Sequence, residues 1–458
     1  MSVTRSDYLP TRADLASIVE LASQIVLIQV GLFAMGVVDS IMVGHVSAAA
    51  LAAVALGNVY SFGLLSFGLG ALLALDSVIA QARGARDPLG VARGVQRGLV
   101  LALVLSIPTS LAFLTVGPGL VLMAQPAELV PLASGFVYRI LPGVFPFFAF
   151  VVLRQALQAH HETRAVVVTI IAANLLNVLL NYLWIYGKLG FPALGVLGSA
   201  SSTLVCRCLM PLMLLALGWR HLAPHLRHLA TDVFALRPML RLLKLGLPVG
   251  TQMFLEWAAF GTVAFLMGAF GTIQVAAHQI AINLASLTFM VPVGIASAAA
   301  VIVGNAVGRG DLAGVRRSSV AALATGIAVM TIAGALFIGI PAILAGIYTG
   351  DAAVLALAVL LLPIAGVFQI FDGAQAVSLG VLRGMGDTRS PVAIAIVGFW
   401  LCGMPVSLWL AYHARLGAVG LWWGFVVGLA AVAVFLVARI RNQLRRAVAR
   451  IEIDIRAS

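Results

Sequence analysis

The chain has 458 residues, of which 62% are hydrophobic and only 10% are charged. Soluble globular domains are about a quarter charged, so this chain has too little polar surface to cover a water-soluble particle. Its formal net charge of +12 does not indicate a nucleic-acid partner, because the basic residues lie in short clusters between apolar stretches and no soluble domain carries a basic face. The composition predicts an all-α membrane protein whose main partner is the lipid bilayer.

Apolar stretches of about 20 residues, the length that crosses a bilayer, recur along the whole chain. Hydropathy and chain-breaking residues predict about twelve transmembrane helices, near residues 17–43, 52–80, 97–117, 131–155, 165–187, 194–218, 242–268, 276–304, 319–341, 354–382, 392–412 and 417–439. The segment before the first span mixes acidic and basic residues and lacks a signal-peptide cleavage site, so we expect a retained cytoplasmic lead-in helix.

Lysine and arginine are distributed very unevenly between the two predicted faces of the membrane. When the connections are counted alternately from the N-terminus, 24 of the 28 basic residues lie on one side, and only Lys188 and Arg415 lie on the other. Positively charged loops stay in the cytoplasm, so we predict a bacterial-type inner-membrane protein with both termini cytoplasmic. The remaining two, Arg139 and Arg207, fall within spans, and we expect them to snorkel toward the interface.

The two halves of the sequence repeat each other at a nearly constant offset. The segment QARGARD at 81–87 corresponds to NAVGRGD at 305–311, an offset of 224, and Leu183-Trp184 corresponds to Leu408-Trp409, an offset of 225. Six spans is an even number, so both halves enter the membrane from the same side and the repeats are parallel. The predicted domains are an N-terminal six-helix bundle at 1–218, a cytoplasmic linker at 219–241, a C-terminal six-helix bundle at 242–440 and a cytoplasmic tail at 441–458.

Three carboxylates lie deep in predicted spans, where charged groups are costly and usually mark an ion or proton pathway. They are Asp39 in span 1, Glu256 in span 7 and Asp372 in span 10, and we predict that they couple transport to an ion or proton. If Glu256 and Asp372 converge, they would form a site for a proton, for Na⁺ or for a cationic substrate. The alternative is a permanently protonated acid that only makes an interhelical hydrogen bond.

Polar side chains accompany these acids and are candidates to line a substrate cavity. Asn174, Asn177 and Asn181 recur at i, i+3 and i+7 in span 5, on one helical face, where they are possible partners of Asp39. The alternative is a polar network that only locks spans 1 and 5 together. For His278 a packing role is equally open. The other candidate polar residues of the cavity are Gln252, Gln279, Asn283, Gln369 and Gln375.

Prolines inside spans free backbone carbonyls and permit bends. Pro142 in span 4 and Pro363, nine residues before Asp372, are candidate hinges, with a static kink as the alternative. The sequence holds no Walker loop, HExxH or GxSxG motif, so we predict neither ATP-driven transport nor an enzymatic activity. We expect no cofactor beyond a coupling ion, H⁺ or Na⁺.

Several longer motifs resemble those of one transporter family. They are VVDSIMVGHVSAAALAAVALGN and GLGALLALDSVIAQARGARD in the first half, and LGLPVGTQMFLE, VAAHQIAIN, VGNAVGRGD and VLRGMGDTRSP in the second. Over essentially its whole length the chain resembles the multidrug and toxic compound extrusion (MATE) family, and within it the NorM-type branch. The resemblance implies a V-shaped pair of six-helix bundles that exports organic cations in exchange for H⁺ or Na⁺.

The resemblance also implies roles for particular residues. The functional acids of the first, seventh and tenth spans in NorM-type members correspond to Asp39, Glu256 and Asp372, and Asn174 and Asn177 match polar fifth-span positions near the first acid. Some sodium-linked members place a tyrosine hydroxyl one turn before the tenth-span acid. This chain has Phe368 there, and the loss of a possible sodium ligand favours coupling to H⁺.

We therefore predict a secondary active multidrug antiporter that alternates access between two six-helix lobes and acts as a monomer. The alternative is a lipid-linked precursor flippase of the same broader superfamily. A flippase would need a cavity rich in arginine and lysine to bind pyrophosphate, and only Arg139 and Arg207 lie inside the predicted spans away from their ends. A channel or a non-transporting receptor does not account for paired buried acids in a duplicated fold.

Overall fold

The computed structural model describes residues 8–123, 125–227, 232–446 and 448–453, and within these ranges it is helical and has no strand. Twelve of the described helices are long and apolar enough to cross a membrane. In chain order they are α1 (Arg12–Gly44), α2 (Ala48–Gly84), α3 (Pro88–Phe113), α4 (Leu129–Ala159), α5 (Arg164–Tyr186), α6 (Val196–Leu226), α7 (Leu236–Gly268), α8 (Thr272–Gly308), α9 (Leu312–Gly339), α10 (Ala352–Gly384), α11 (Ser390–His413) and α12 (Gly417–Leu444). The predicted all-α fold with about twelve spans is confirmed.

The two candidate hinge prolines lie in different backbone settings. Pro142 lies in a 3₁₀ turn, Leu141–Gly143, that interrupts α4. Pro363 lies inside α10, which remains helical from Ala352 to Gly384. Neighbouring helices can satisfy the carbonyl that a proline frees, so a helix can continue through one. Movement at either proline stays a prediction.

The sequence repeat has the same local structure in both halves. Asp87 caps α3 and Asp311 caps α9, and each carboxylate accepts a hydrogen bond from the backbone amide three residues later at 2.8 Å. A residue with a left-handed φ precedes each cap, Arg86 at 54° and Gly310 at 70°. A carboxylate at this position satisfies an otherwise unpaired amide and suits the positive end of the helix dipole. The spacing shared by the two halves therefore reflects a repeated loop that starts a helix.

The described residues form two compact units. Unit I comprises those of Met1–Gln29 and Thr251–Ile451, and unit II comprises those of Val30–Gly250 and Glu452–Ser458. The boundaries fall inside α1 and α7, so each unit takes most of one sequence half and the opening turns of the other half's first helix. The bundles predicted at 1–218 and 242–440 stay a prediction.

In unit I, the opening turns of α1 belong to the hydrophobic core formed by the second half. Ile18, Leu21 and Ile25 of α1 are almost fully buried in that core. The helices α9 and α10 approach each other closely through glycines, and a Cβ atom added to Gly334 would lie only 2.4 Å from the carbonyl oxygen of Gly366. Small residues of this kind allow helix backbones to pack tightly where no hydrophobic effect drives association.

The loop between α10 and α11 is anchored to α12 through Asp387. Burial alone would raise the pKa of this carboxyl, but hydrogen bonds from Gln443, Arg439 and Ser390 outweigh it and hold the pKa below its usual value. The Arg439 Nε atom lies 2.7 Å from a carboxylate oxygen. Asp387 is therefore ionised at neutral pH and links the two elements.

In unit II, α6 continues to Leu226 and α7 begins at Leu236, so both helices extend into the predicted linker at 219–241, of which residues 228–231 lie outside the described residues. Asp232, between them, forms salt bridges with Arg93 at 3.1 Å and with Arg97 at 2.8 Å, both on α3. Arg97 is almost completely buried. The ion pairs attach the described part of this connection to α3.

A cluster of basic side chains joins α2, the α4–α5 connection and α6 in unit II. His160 hydrogen-bonds to Arg83 through Nδ1, and its Nε2 atom lies 3.1 Å from Nε2 of His225, with the two rings stacked. Arginine can only donate, so Nδ1 of His160 accepts and its Nε2 carries the hydrogen that is donated to His225. Burial, reinforced by the nearby charge of Arg83, lowers the pKa of His160 to about 3. The cluster therefore requires a neutral imidazole.

This requirement predicts that acid weakens the fold. An unfolded chain protonates His160 near its ordinary pKa of about 6.5, whereas the folded chain resists protonation, so stability falls as the pH drops from about 6.5 toward 3. We expect the thermal unfolding midpoint of the purified protein to fall with acidification, and to fall less steeply in His160→Asn. His45→Asn, which changes an exposed histidine, is the control. Equal slopes in His160→Asn and the wild type would contradict the prediction.

Candidate ion-coupling sites

The first site surrounds Asp39 in unit II. Asp39 is on α1 and is only 4% exposed. One carboxylate oxygen accepts hydrogen bonds from the side-chain amides of Asn177 at 3.0 Å and Asn181 at 2.6 Å, both on α5. The other oxygen accepts a hydrogen bond from the hydroxyl of Thr203 on α6 at 2.8 Å. The structure therefore brings Asp39 together with two of the three asparagines predicted from the sequence.

Asn174 does not reach Asp39. Its side-chain amide donates instead to the carbonyl oxygens of Gly31 at 3.0 Å and Ile170 at 2.9 Å. The asparagines share a helical face, but Asn177 and Asn181 continue one and two turns beyond Asn174 toward the carboxylate. Asn174 connects α1 to α5 at a different level of the two helices.

The groups around Asp39 can solvate either protonation state. All three neighbours are neutral, and an amide or a hydroxyl can act as donor and as acceptor. In the observed arrangement all three donate, as an ionised carboxylate requires. The Oδ1 atom of Asn181 is buried and has no hydrogen-bond partner among the described residues. A carboxylic acid proton at Asp39 would thus find an acceptor after a local rotation, without a change of the helices.

Thr203 on α6 belongs to this site and Arg207 lies one turn beyond it, and neither was predicted there from the sequence. They are four residues apart, so they occupy the same face of α6 on successive turns. Arg207 is close enough to Asp39 for their charges to interact, but no ion pair within 4.0 Å joins them among the described side chains. An arginine inside an apolar span, one turn from a hydroxyl, is the signal that could have indicated this face.

The second site surrounds Glu256 in unit I. Glu256 is on α7 and is partly exposed. One of its carboxylate oxygens accepts a hydrogen bond from Gln252, one turn earlier, at 2.7 Å, and the other accepts one from Gln375 on α10, also at 2.7 Å. The two glutamines are buried. Glu256 therefore links α7 to α10 through neutral donors, as Asp39 links α1 to α5 and α6.

Asp372 on α10 lies near Glu256, and its charge interacts with that of Glu256. Asp372 is 3% exposed, and the described residues provide no hydrogen-bond partner for its Oδ1 atom or for the Oε1 atoms of Gln369 and Gln375. Buried acceptors are normally paired. An acid proton or a bound cation would pair with these oxygens. A positive charge there would also offset the repulsion between two carboxylates that lie close together.

None of the described hydrogen bonds or ring contacts joins His278, Gln279 or Asn283 to the acids. His278 is buried against the indole of Trp422, with ring centroids 5.6 Å apart. Gln279 donates to Asn283 at 3.1 Å on an exposed face of α8. Phe368 is 1% exposed and packs against the rings of Trp422 and Phe260. A direct role in transport for His278, Gln279 and Asn283 stays a prediction.

Comparisons with known proteins agree with this fold along the chain. The MatE family model matches residues 25–183 and 248–409, more than half of the sequence. The probable multidrug resistance protein NorM of Rhizobium meliloti is 35% identical over 427 residues, which cover 91% of this chain and 91% of that protein. The multidrug resistance protein MdtK of Pectobacterium atrosepticum is 34% identical over 440 residues, which cover 94% of this chain and 96% of that protein.

Solved structures show the same fold at lower sequence identity. The crystal structure of the eukaryotic MATE transporter AtDTX14 matches with a TM-score of 0.87 and 22% identity, covering 95% of this chain and 98% of that one. An outward-facing multidrug resistance MATE transporter of the MOP superfamily matches with a TM-score of 0.86 and 19% identity, covering 97% and 99% of the two chains. The molecule is thus a multi-pass helical membrane protein with the fold of a transporter. It belongs to the MATE family, as its motifs indicated.

The hydrogen bond from Thr203 to Asp39 can be tested with a matched pair of threonines. Thr203→Val removes a hydrogen bond to a carboxylate, which we expect to lower stability by about 1.5–3 kcal/mol at a pH where Asp39 is ionised. Thr169→Val is the control, because Thr169 is also buried but donates only to the backbone carbonyl of Ala165, a bond worth about 1 kcal/mol. Thermal or denaturant unfolding of the purified variants measures the difference. Equal losses of stability in the two variants would show that the hydrogen bond to Asp39 stabilises the protein no more than a bond to a backbone carbonyl does.

Proposed function

We propose that this protein is a secondary active exporter that moves cationic or amphipathic small molecules out of the cell in exchange for H⁺ or Na⁺. Its relatives NorM and MdtK are multidrug resistance proteins, and their similarity to this chain extends over most of both lengths. The observation that carries the proposal is that each unit holds a carboxylate inside its helices that is solvated by neutral groups. Intramembrane acids of this kind usually belong to ion or proton pathways.

Because the surrounding groups are neutral, each carboxylate is able to bind and release a positively charged ion. A carboxylate paired with an adjacent arginine is already compensated, and breaking a buried pair is strongly unfavourable. Asp39 is hydrogen-bonded to amides and a hydroxyl, and Glu256 to two glutamines. Either acid can gain or lose a proton while its hydrogen-bond partners stay in place.

The proposed cycle is antiport by alternating access between two lobes. In the outward-facing state, H⁺ (or Na⁺) binds at Asp39 or at the pair formed by Glu256 and Asp372. The added positive charge weakens the binding of a cationic substrate, which is released outside. Return to the inward-facing state discharges the ion into the cytoplasm, and the acids are again free to attract substrate. We propose that the protein completes this cycle as a monomer, with both termini in the cytoplasm.

Two features of unit I bear on the coupling ion and favour different ions. Phe368 offers no hydroxyl one turn before Asp372, and its ring is held by Trp422 and Phe260, which favours H⁺. The buried oxygens of Asp372, Gln369 and Gln375 are hard ligands of the kind that bind alkali and alkaline-earth cations, which would suit Na⁺. We propose H⁺ as the coupling ion, since an acid proton needs only one of these acceptors.

Transport by the purified protein tests the proposal directly. We expect proteoliposomes to extrude a fluorescent cation such as ethidium when a pH gradient is imposed, and not when only a sodium gradient of the same size is imposed. Extrusion driven by sodium alone would replace H⁺ with Na⁺ as the coupling ion. If neither gradient drives extrusion of several cationic dyes, drug export is wrong and the lipid-linked precursor flippase becomes the leading alternative.

Neutralising the acids tests their role separately from the choice of ion. We expect Asp39→Asn and Asp372→Asn to reduce gradient-driven exchange to background, because each variant lacks a group that titrates or binds a cation. Glu20→Gln is the control, since Glu20 is an exposed carboxylate on the same helix as Asp39. All variants should elute as monodisperse protein. Exchange at the wild-type rate in either Asp variant would remove that residue from the mechanism.

A further inference from the structure

The end of α6 that the sequence predicts to face the cytoplasm carries an exposed tryptophan. Trp219 is 43% exposed and lies 23 residues after Val196, where α6 begins. This separation is roughly 35 Å along the helix axis, slightly more than the hydrocarbon thickness of a bilayer. Trp219 also follows directly after the span predicted at 194–218. It therefore lies at the membrane interface, the depth at which tryptophan is enriched in membrane proteins.

The face of α6 that leads to Trp219 is apolar and open to lipid. Leu212 and Ala216 come seven and three residues before Trp219, and both are exposed. The three residues share one helical face, and leucine side chains are as apolar as lipid tails. An acyl chain that lies along this face would bring its headgroup to the level of Trp219 and the residues after it.

Two exposed arginines, Arg220 and Arg227, follow the tryptophan. They are seven residues apart, so they lie on the same side of the helix. Arg227 comes directly after the last residue of α6, but its side chain turns back toward the membrane. The centre of its guanidinium lies 5.9 Å from the centroid of the Trp219 ring, a distance at which a cation is attracted to an aromatic face. The ring thus holds one guanidinium close to the position where α6 leaves the membrane.

The described part of the chain provides no acid to neutralise these two arginines. None of the salt bridges among the described residues includes Arg220 or Arg227. Glu162, the acid in the neighbouring connection between α4 and α5, lies 3.3 Å from Nε2 of His221 instead. Basic residues directly beyond the end of a transmembrane helix attract anionic lipid headgroups. The charge of this patch is therefore available to a lipid.

The second half of the chain does not repeat this arrangement. At the offset of 225, Trp219 corresponds to Leu444, which is 4% exposed and belongs to the hydrophobic core of unit I. Arg227 corresponds to Glu452, an acid. The repeated fold therefore does not require an exposed tryptophan beside two arginines, and the arrangement in the first half needs an explanation of its own.

We infer that Trp219, Arg220 and Arg227 form a binding site for the headgroup of an anionic phospholipid at this end of α6. The lipid tail follows the apolar face of the helix, and the two guanidinium groups bind phosphate oxygens beside the indole ring. Arginine suits this role because its planar group can donate two parallel hydrogen bonds to a phosphate. A zwitterionic headgroup has the same phosphate but adds a cation, which the arginines repel. The site therefore selects lipids whose headgroup is negatively charged overall.

The test compares dioleoylphosphatidylglycerol with dioleoylphosphatidylcholine, which share their acyl chains and phosphate but differ in headgroup charge. Native mass spectrometry measures the binding of each lipid to the purified full-length protein in detergent. We expect the wild type to bind the phosphatidylglycerol more tightly. Arg220→Gln and Arg227→Gln should each weaken its binding about fivefold and leave the phosphatidylcholine within about twofold. Arg220→Lys should keep most of the affinity, because it keeps the charge.

Arg445→Gln is the matched control, because Arg445 is exposed and corresponds to Arg220 at the offset of 225 but follows a buried leucine. It should leave the binding of both lipids unchanged. Trp219→Leu should reduce the effect of Arg227→Gln, because the indole ring holds that guanidinium. If a glutamine variant does not fold, Trp219→Leu decides, since it must lower the ratio of the two lipid affinities.

Three results would overturn the inference: equal weakening of both lipids by the arginine variants, unchanged binding of the phosphatidylglycerol in those variants, or the same loss in Arg445→Gln. Lipid binding in detergent requires neither an ion gradient nor a transported compound. The result can therefore be interpreted whether or not the protein extrudes a dye in the transport experiment.

Discussion

A polar group inside a bilayer has no water to bind, and this constraint determines where the polar residues of this chain lie. Asp39 and Glu256 are found where neutral donors meet them. Asp39 is hydrogen-bonded to α5 and α6, and Glu256 to α7 and α10. In each case the hydrogen bonds that make the acid tolerable also fix the neighbouring helices against one another. The groups proposed for ion coupling are therefore also structural connections, and a proton that binds there changes the charge at a point where helices are joined.

The two halves of the chain share their helix-starting loops, but their intramembrane acids do not occupy equivalent positions. The caps at Asp87 and Asp311 are equivalent in sequence and in geometry, because every copy of the loop must start a helix. The acids have no such counterparts: at an offset of 224, Asp39 corresponds to Val263, and Asp372 corresponds to Phe148. Loop geometry is required in both copies for folding, whereas a buried carboxylate is costly wherever it occurs. Each unit therefore keeps its own polar site, with one acid on the first helix of each half and different partner helices completing the site.

The sequence was sufficient for the features that depend on composition and local spacing. Long apolar runs predicted the twelve helices, and the i+4 spacing of Asn177 and Asn181 placed both on one face. The spacing could not show that Asn174 bonds to Gly31 instead of Asp39, because that depends on how far α1 is shifted along α5. Thr203 and Arg207 were not assigned to the site for a related reason: the rotation of α6 about its axis is set by packing of many apolar residues, none of which identifies the face that meets Asp39. The opening turns of α1 belong to unit I and those of α7 to unit II, and the hydrophobic pattern likewise does not indicate this.

The different composition of the two sites has a consequence for coupling. The pair formed by Glu256 and Asp372 contains only acids, so it is negative when ionised and becomes neutral as protons bind. Arg207 forms no ion pair with Asp39 but is close enough for their charges to interact, so a proton on Asp39 makes the net charge of this region positive. Proton uptake therefore weakens the attraction for a cation at both sites, but at Asp39 it also strengthens the attraction for an anion. When Asp39 binds a proton, a substrate with a positive and a negative group would be bound less tightly at its positive end and more tightly at its negative end. A simple cation would only be bound less tightly. The proposed coupling to H⁺ would thus act differently on substrates that differ in charge distribution, and not only on substrates that differ in net charge.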